Sequence, residues 1–290
     1  MIGIGLSGWM ADFGEYLPTD AVLYSGIPAK IYHNIYPVEW AKLNREAIEE
    51  EGKLGEIMFF TRAGYLGTTK YSTMAWNGDQ MVDWSVDDGL PSVIPASISL
   101  GYSGFNLCHS DIGGYTTIKK PFGSYIRSKE LFMRWVEMAA FSPFMRTHEG
   151  NIPDINWQFD SDSETLEHLS KFVNVFVSLQ PYIKDTMKES QKKGLPIIRH
   201  TFLNNENEPK FINDKYQYML GEDILVCPVI KKDSEKIKVN FPTGKWINFW
   251  NENEYDGGFF EVESPIGNPA VFYKRNSKWE NLFKGIKENI

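Results

Sequence analysis

Ile4-Gly5-Leu6-Ser7-Gly8-Trp9-Met10-Ala11-Asp12-Phe13-Gly14-Glu15 runs from an apolar stretch into a carboxylate flanked by aromatic residues and glycines. Its apolar part predicts a strand over residues 4–10, with Asp12 just past the C-terminal end. The same pattern recurs further along. Ile57–Thr61 reads as the next strand and is followed by Arg62, Ser72–Trp76 precedes Asp79, and Phe105–His109 runs into Ser110 and Asp111. Pro196–Phe202 reads as the last strand of the series. Helical patterns fall between them. Trp40, Leu43, Ala47 and Ile48 share a face of a segment from about Val38 to Glu51, and Pro91–Leu100 and Ser128–Ala140 are shorter helices. Leu166 to Leu179 is another, with Asp162 or Ser163 as its cap and Pro181 as a kink or stop. Strands alternating with helices predict an α/β fold with a parallel sheet covered by helices. In (β/α)8 barrels the chemistry occupies the C-terminal ends of the strands, where Asp12, Arg62, Asp79 and the His109-Ser110-Asp111 group fall.

From about Tyr218 the pattern changes. Ile224–Ile230 is a strand, Ile237, Val239 and Phe241 alternate with polar residues, and Trp246–Trp250 and Ala270–Tyr273 follow between Gly and Pro turns. This predicts a small antiparallel β-domain over 218–290 after a barrel portion over 1–217.

Composition narrows the possible partners. The net charge of -8 over 290 residues argues against nucleic acid or an anionic membrane, both of which need a basic surface. No apolar run reaches membrane-spanning length and the first residues do not follow a signal-peptide pattern, so a cytoplasmic location is expected. Cys108 and Cys227 sit in apolar runs far apart and predict buried free thiols. The 9 Trp, 14 Tyr and 19 Phe suit a sugar-binding cleft, though a large core also uses aromatics. Oligomerisation stays open.

Two motifs mislead. Gly3-Ile4-Gly5-Leu6-Ser7-Gly8 matches the dinucleotide fingerprint, but no strand precedes it and it runs into Trp9 and Asp12 instead of opening a helix. His109, Asp111 and His148 lack metal-ligand spacing, so neither a metal nor another cofactor is expected. Asp160–Glu164 lacks the glycine of a calcium loop and reads better as a helix cap.

A carboxylate at the end of a buried run is costly to desolvate, and this chain has two such groups. Glycosidic bond cleavage supplies a reason. A retaining glycosidase sets a nucleophile and an acid/base about 5–5.5 Å apart. Asp12 would be ionised and hydrogen-bonded, and Asp79 would have its pKa raised by burial and by its charged neighbour.

The segment Gly8–Glu15 resembles the nucleophile segment of glycoside hydrolase family 31, and Trp76-Asn77-Gly78-Asp79 resembles its acid/base segment. His109–Gly114 and Phe144–His148 resemble two further signatures in the family's order, and Arg62-Ala63-Gly64 falls where the family has a substrate-binding arginine. Within the family, Met10–Asp20, Lys70–Met74, Asp83-Trp84-Ser85, Gly113-Gly114-Tyr115 and Arg146–Gly150 look like the sulfoquinovosidase group, whose substrates are α-glycosides of 6-sulfonated glucose. The resemblance implies Asp12 as nucleophile and Asp79 as acid/base. It also implies Arg62 and His148 on ring hydroxyls, Tyr115 on the sulfonate and Trp76 as a wall of the sugar pocket. The alternative for Tyr115 is an aromatic filler after a glycine turn, and for Trp9 it is core packing.

The family's nucleophile follows barrel strand 4. The resemblance therefore implies a C-terminal fragment: a partial (β/α)8 barrel of about strands 4 to 8, followed by the β-domain. Most direct sulfonate-selecting residues would lie upstream of Met1. An open half-barrel has exposed edges and interior, so the isolated chain is expected to be poorly stable, prone to aggregation and weakly active. The other readings are an α-glucosidase or α-xylosidase of the same family, or a non-catalytic carbohydrate-binding fragment.

Overall fold

A computed structural model of the chain describes residues 1–121 and 123–289. Strand β1 (Gly8–Ala11) is followed by helices α1 (Ala29–Tyr32) and α2 (Tyr36–Glu50), then by β2 (Met58–Thr61) and β3 (Met74–Trp76). Helix α3 (Val93–Tyr102) leads to β4 (Leu107–His109), and α4 (Lys129–Ala139), α5 (Ser163–Ser178) and α6 (Gln180–Lys193) follow. Strands β1 to β4 pair in parallel in chain order, with Trp9 opposite Phe59, Phe60 opposite Met74 and Trp76 opposite His109. This is the barrel portion expected from the alternation of elements. The first strand starts later than its apolar run, because Gly5 at φ 91 closes a short turn over Ile2–Ile4. Helix α4 is capped by Ser128, whose Oγ accepts from Leu131 N, and α5 by Asp162, whose Oδ1 accepts from Thr165 N at 2.8 Å.

The run Pro196–Phe202 requires a correction. Its strand, β5 (Ile198–His200), does not continue the parallel series but pairs antiparallel with β6 (Tyr218–Leu220), Ile198 opposite Leu220. A β-branched run suits either sheet, and the partner strand decides which one it joins. Helix α7 (Thr201–Asn204) separates β5 from β6. Strands β7 (Ile224–Cys227), β8 (Lys236–Asn248), β9 (Glu254–Glu263) and β10 (Ala270–Lys274) complete a six-stranded sheet ordered β5-β6-β7-β10-β8-β9, and α8 (Glu280–Gly285) covers it.

One large core joins the two regions. Val93 and Ile98 of α3, Trp135 of α4, Phe172 of α5 and Leu220 and Val226 of the antiparallel sheet belong to it. Val239, Phe241, Trp246 and Phe272 form a second core within that sheet. Beside β1 and β2 there is only a small cluster of Ala11, Ala41, Ile48 and Phe59. A buried ion pair also ties the regions: Arg134 Nη1 lies 2.9 Å from Glu137 Oε2, and Arg134 Nη2 donates to the carbonyls of Ser234 and Ser264. Cys108 and Cys227 are buried free thiols. Among the described residues no helix is long and apolar enough to cross a membrane.

Candidate active site

The four parallel strands deliver their polar residues to one edge. Asp12 follows β1 directly and its Oδ1 accepts from Phe13 N at 2.7 Å. Phe13 at φ 62 and Gly14 at φ 90 then turn the chain back, and a Cβ on Gly14 would meet Trp40 Cδ1 at 2.8 Å, so glycine is needed there. The turn brings Glu15 to Arg62, the residue after β2. Glu15 Oε1 accepts from Arg62 Nε at 2.8 Å and lies 2.6 Å from Nη2. That grip leaves Nη1 to reach both aspartates: Asp12 Oδ1 at 3.3 Å and Asp79 Oδ2 at 3.1 Å. The rings of Phe13 and Tyr16 cover the guanidinium. Burial works against its charge, but the Glu15 hydrogen bond and the three carboxylates hold the Arg62 pKa above its ordinary value. The burial expected for Asp79 is not present. Its side chain is 43% exposed beside the Arg62 cation.

A second group lies past β4. Arg146 Nε donates to His109 Nε2 at 3.0 Å, and Arg146 pairs with Asp111. An arginine can only donate, so the neutral His109 carries its proton on Nδ1. Burial, then the Arg146 charge, lowers the His109 pKa to about 3. Burial raises that of Asp111 against the opposing pull of Arg146 and His148. Phe60 packs against Trp76, His109 and Arg146 and so links this group to β2 and β3. Trp76 itself is 2% exposed, so it backs the site from within the sheet and is not an open wall.

Tyr115 and His148 meet edge-on with ring centroids 5.0 Å apart. The Tyr115 turn is fastened to the Asp79 loop: Tyr115 N and Thr116 N donate to Gln80 O, and Thr116 Oγ1 donates to Asp79 O at 2.7 Å. Gly150 N donates to His148 Nδ1, so the neutral ring keeps its proton on Nε2 as a donor. Asp12, Arg62, Asp79, Tyr115 and His148 thus fall along one edge, with Trp76 behind it. Trp9 lies apart from them, stacked on Phe59 with Nε1 donating to Asn44 Oδ1, a packing role. A cavity of about 400 Å³ adjoins Arg62 and is lined by Glu15, His33, Asn34 and Tyr65.

Parallel strands with a carboxylate pair at their C-terminal ends are what the active face of a (β/α)8 barrel presents, here over four strands. The family model for the TIM-barrel domain of glycosyl hydrolases family 31 matches residues 1–186, and the model for the family's C-terminal domain matches residues 194–277. The chain belongs to glycoside hydrolase family 31. It is 52% identical over 99% of its length to a sulfoquinovosidase of Escherichia coli strain K12, and 45% identical over 99% to one of Agrobacterium fabrum. A solved GH31 family sulfoquinovosidase from E. rectale, in complex with the aza-sugar inhibitor IFGSQ, superposes with a TM-score of 0.95 at 46% identity over 99% of the chain. The chain spans 42% and 43% of the length of the two curated relatives and 43% of the solved structure.

Proposed function

We propose that this chain carries the catalytic carboxylates of a retaining α-glycoside hydrolase that releases sulfoquinovose from α-sulfoquinovosides such as sulfoquinovosyl glycerol. The observation behind this reading is the single Arg62 nitrogen within 3.3 Å of Asp12 and 3.1 Å of Asp79, which keeps the two carboxylates close enough for a retaining pair. Similarity to sulfoquinovosidases over 99% of the chain supports the choice of sugar. Asp12 attacks the anomeric carbon while Asp79 gives its proton to the departing glycosidic oxygen. Asp79 then takes a proton from water, the water oxygen bonds to the same carbon, and Asp12 is released. Arg62 and His148 Nε2–H donate to ring hydroxyls, Tyr115 holds the sulfonate and Trp76 supports the pocket from behind. Two buried free thiols suit a reducing compartment such as the cytoplasm.

Turnover of an aryl α-sulfoquinovoside and of an aryl α-glucoside tests the reading, with the first sugar product followed by proton NMR. The sulfonated substrate is expected to be preferred, with the α-anomer formed first. Preference for the glucoside overturns the sugar assignment, and a β-anomer overturns retention. Asp12→Asn should abolish turnover while sparing sugar binding.

A further inference from the structure

Arg127 is 2% exposed and lies in the loop before α4, where the sequence pattern does not mark it as special. A buried cation needs partners, and those of Arg127 are mostly backbone carbonyls, with the Gln158 side-chain oxygen at 3.5 Å from Nη1. Its Nε donates to Gly113 O at 3.1 Å, Nη1 to His148 O at 2.8 Å and to Trp157 O at 3.5 Å, and Nη2 to Gly114 O. Its own backbone is held as well: Arg127 N donates to Asn156 Oδ1, and Trp157 N donates to Arg127 O. Gly113 stands at φ +88, and a Cβ there would meet Arg127 Cδ and Nε at 2.7 Å, so the guanidinium stem fills the space the glycine leaves. The carbonyls it gathers belong to the turn just before Tyr115 and to His148 itself.

We propose that Arg127 is a positioning residue for substrate recognition. It locks the Tyr115 turn to the His148 segment, so that the two rings present one preset surface beside the Asp79 loop. What that surface recognises rests on the glycosidase reading; the lock itself does not. Lysine cannot replace it fully. Carbonyls from separate segments are reached together by the planar fork of five donors, whereas an ammonium has three donors at one point.

Arg127→Lys and Arg127→Met, made in the full 290-residue chain, test the proposal. For the aryl α-sulfoquinovoside, KM should rise about tenfold in Arg127→Met and less in Arg127→Lys, with kcat changed by less than about threefold. A residue that only supports folding would reduce the active fraction, lowering kcat with KM unchanged, and that result overturns the proposal. A second readout needs no turnover. In chain labelled with 13C-histidine, the His148 ring signal, identified by its loss in His148→Gln, should shift and broaden in both variants while those of His33 and His200 stay in place. An unmoved His148 signal overturns the proposal. If the unaltered chain cleaves neither glycoside, as an open half-barrel would, the ring signals alone decide the role of Arg127. Should neither variant fold, a role confined to recognition is overturned.

Discussion

The two sheets of this chain are built to different standards. Strands β1 to β4 are three or four residues long, and the core beside β1 and β2 is a cluster of four fully buried residues. About half of the exposed large apolar residues among those described fall in the first 66 positions, with Ile4, Val22, Tyr24 and Leu66 among the most exposed. In the antiparallel sheet β8 alone has 13 residues, and larger cores pack on both faces, with Ile247 and Val271 in one and Trp246 and Phe272 in the other. A parallel sheet is normally covered on both faces, whereas an antiparallel one tolerates a wet face. The proposed chemistry therefore stands on the less buried region, and the resistance to unfolding should reside in the other.

The largest effect that could break this contrast is on turnover. Asp79→Asn should lower the rate about 10²–10⁴-fold by removing the general acid. Its partly exposed contact with Arg62 contributes at most about 1 kcal/mol, so the melt should barely move. Loss of cooperative folding in Asp79→Asn would show that the site region does carry stability.

Core truncations give the reciprocal test. Phe272 is fully buried against Phe241 and Tyr255, and Phe272→Ala should cost about 3–5 kcal/mol in denaturant unfolding. Phe59→Ala, in the small cluster, should cost clearly less, since its surroundings can collapse or take in water. Equal costs would erase the distinction. Arg134→Met tests the seam between the regions. It leaves Glu137 buried without its cation, at a cost of about 3–5 kcal/mol. A neutral result would mean that apolar packing and the remaining polar links, Gly267 N to Glu137 Oε1 and Lys171 Nζ to Gly267 O, hold the seam without Arg134.

The sequence revealed the site better than it revealed the supports. Asp12, Arg62, Asp79 and Asp111 could be placed at one edge because each follows an apolar strand, and strand ends in a parallel sheet share a side. The Glu15 grip could not be read this way, since it depends on Phe13 and Gly14 both taking left-handed backbone and reversing the chain. Arg127 escaped notice because its partners are mostly backbone carbonyls, which every residue has. Strand β9 was missed because Glu254–Glu263 is charged, contains Gly257 and Gly258, and lacks apolar alternation. Helix α6 was missed for the opposite reason. Pro181 reads as a kink or a stop, and it falls in the first turn of a new helix, where its missing N–H is not needed.

Acid carries the contrast into the barrel portion itself, which buries one histidine at the strand ends and another on α5. Burial lowers the His168 pKa to about 4 and that of His109 to about 3. A histidine depressed in the folded state is protonated first in the unfolded chain. Stability is therefore complete above the unfolded value of about 6.5, falls as pH drops toward the folded value, and levels off below it. For His168, packed on Phe172 and facing Met133 O, the loss between pH about 6.5 and about 4 should be roughly 3 kcal/mol. His168→Gln should flatten that slope in unfolding measured against pH. The ring signals then separate the strand ends from the helical layer. His168 sits between α4 and α5 in the well-packed part and should stay neutral to about pH 4. His109 should hold to still lower pH only while β2, β3 and Arg146 remain closed over it. A His109 signal that titrates near the ordinary histidine value, with His168 unchanged, would mean that the strand ends open to water while the rest of the molecule stays folded.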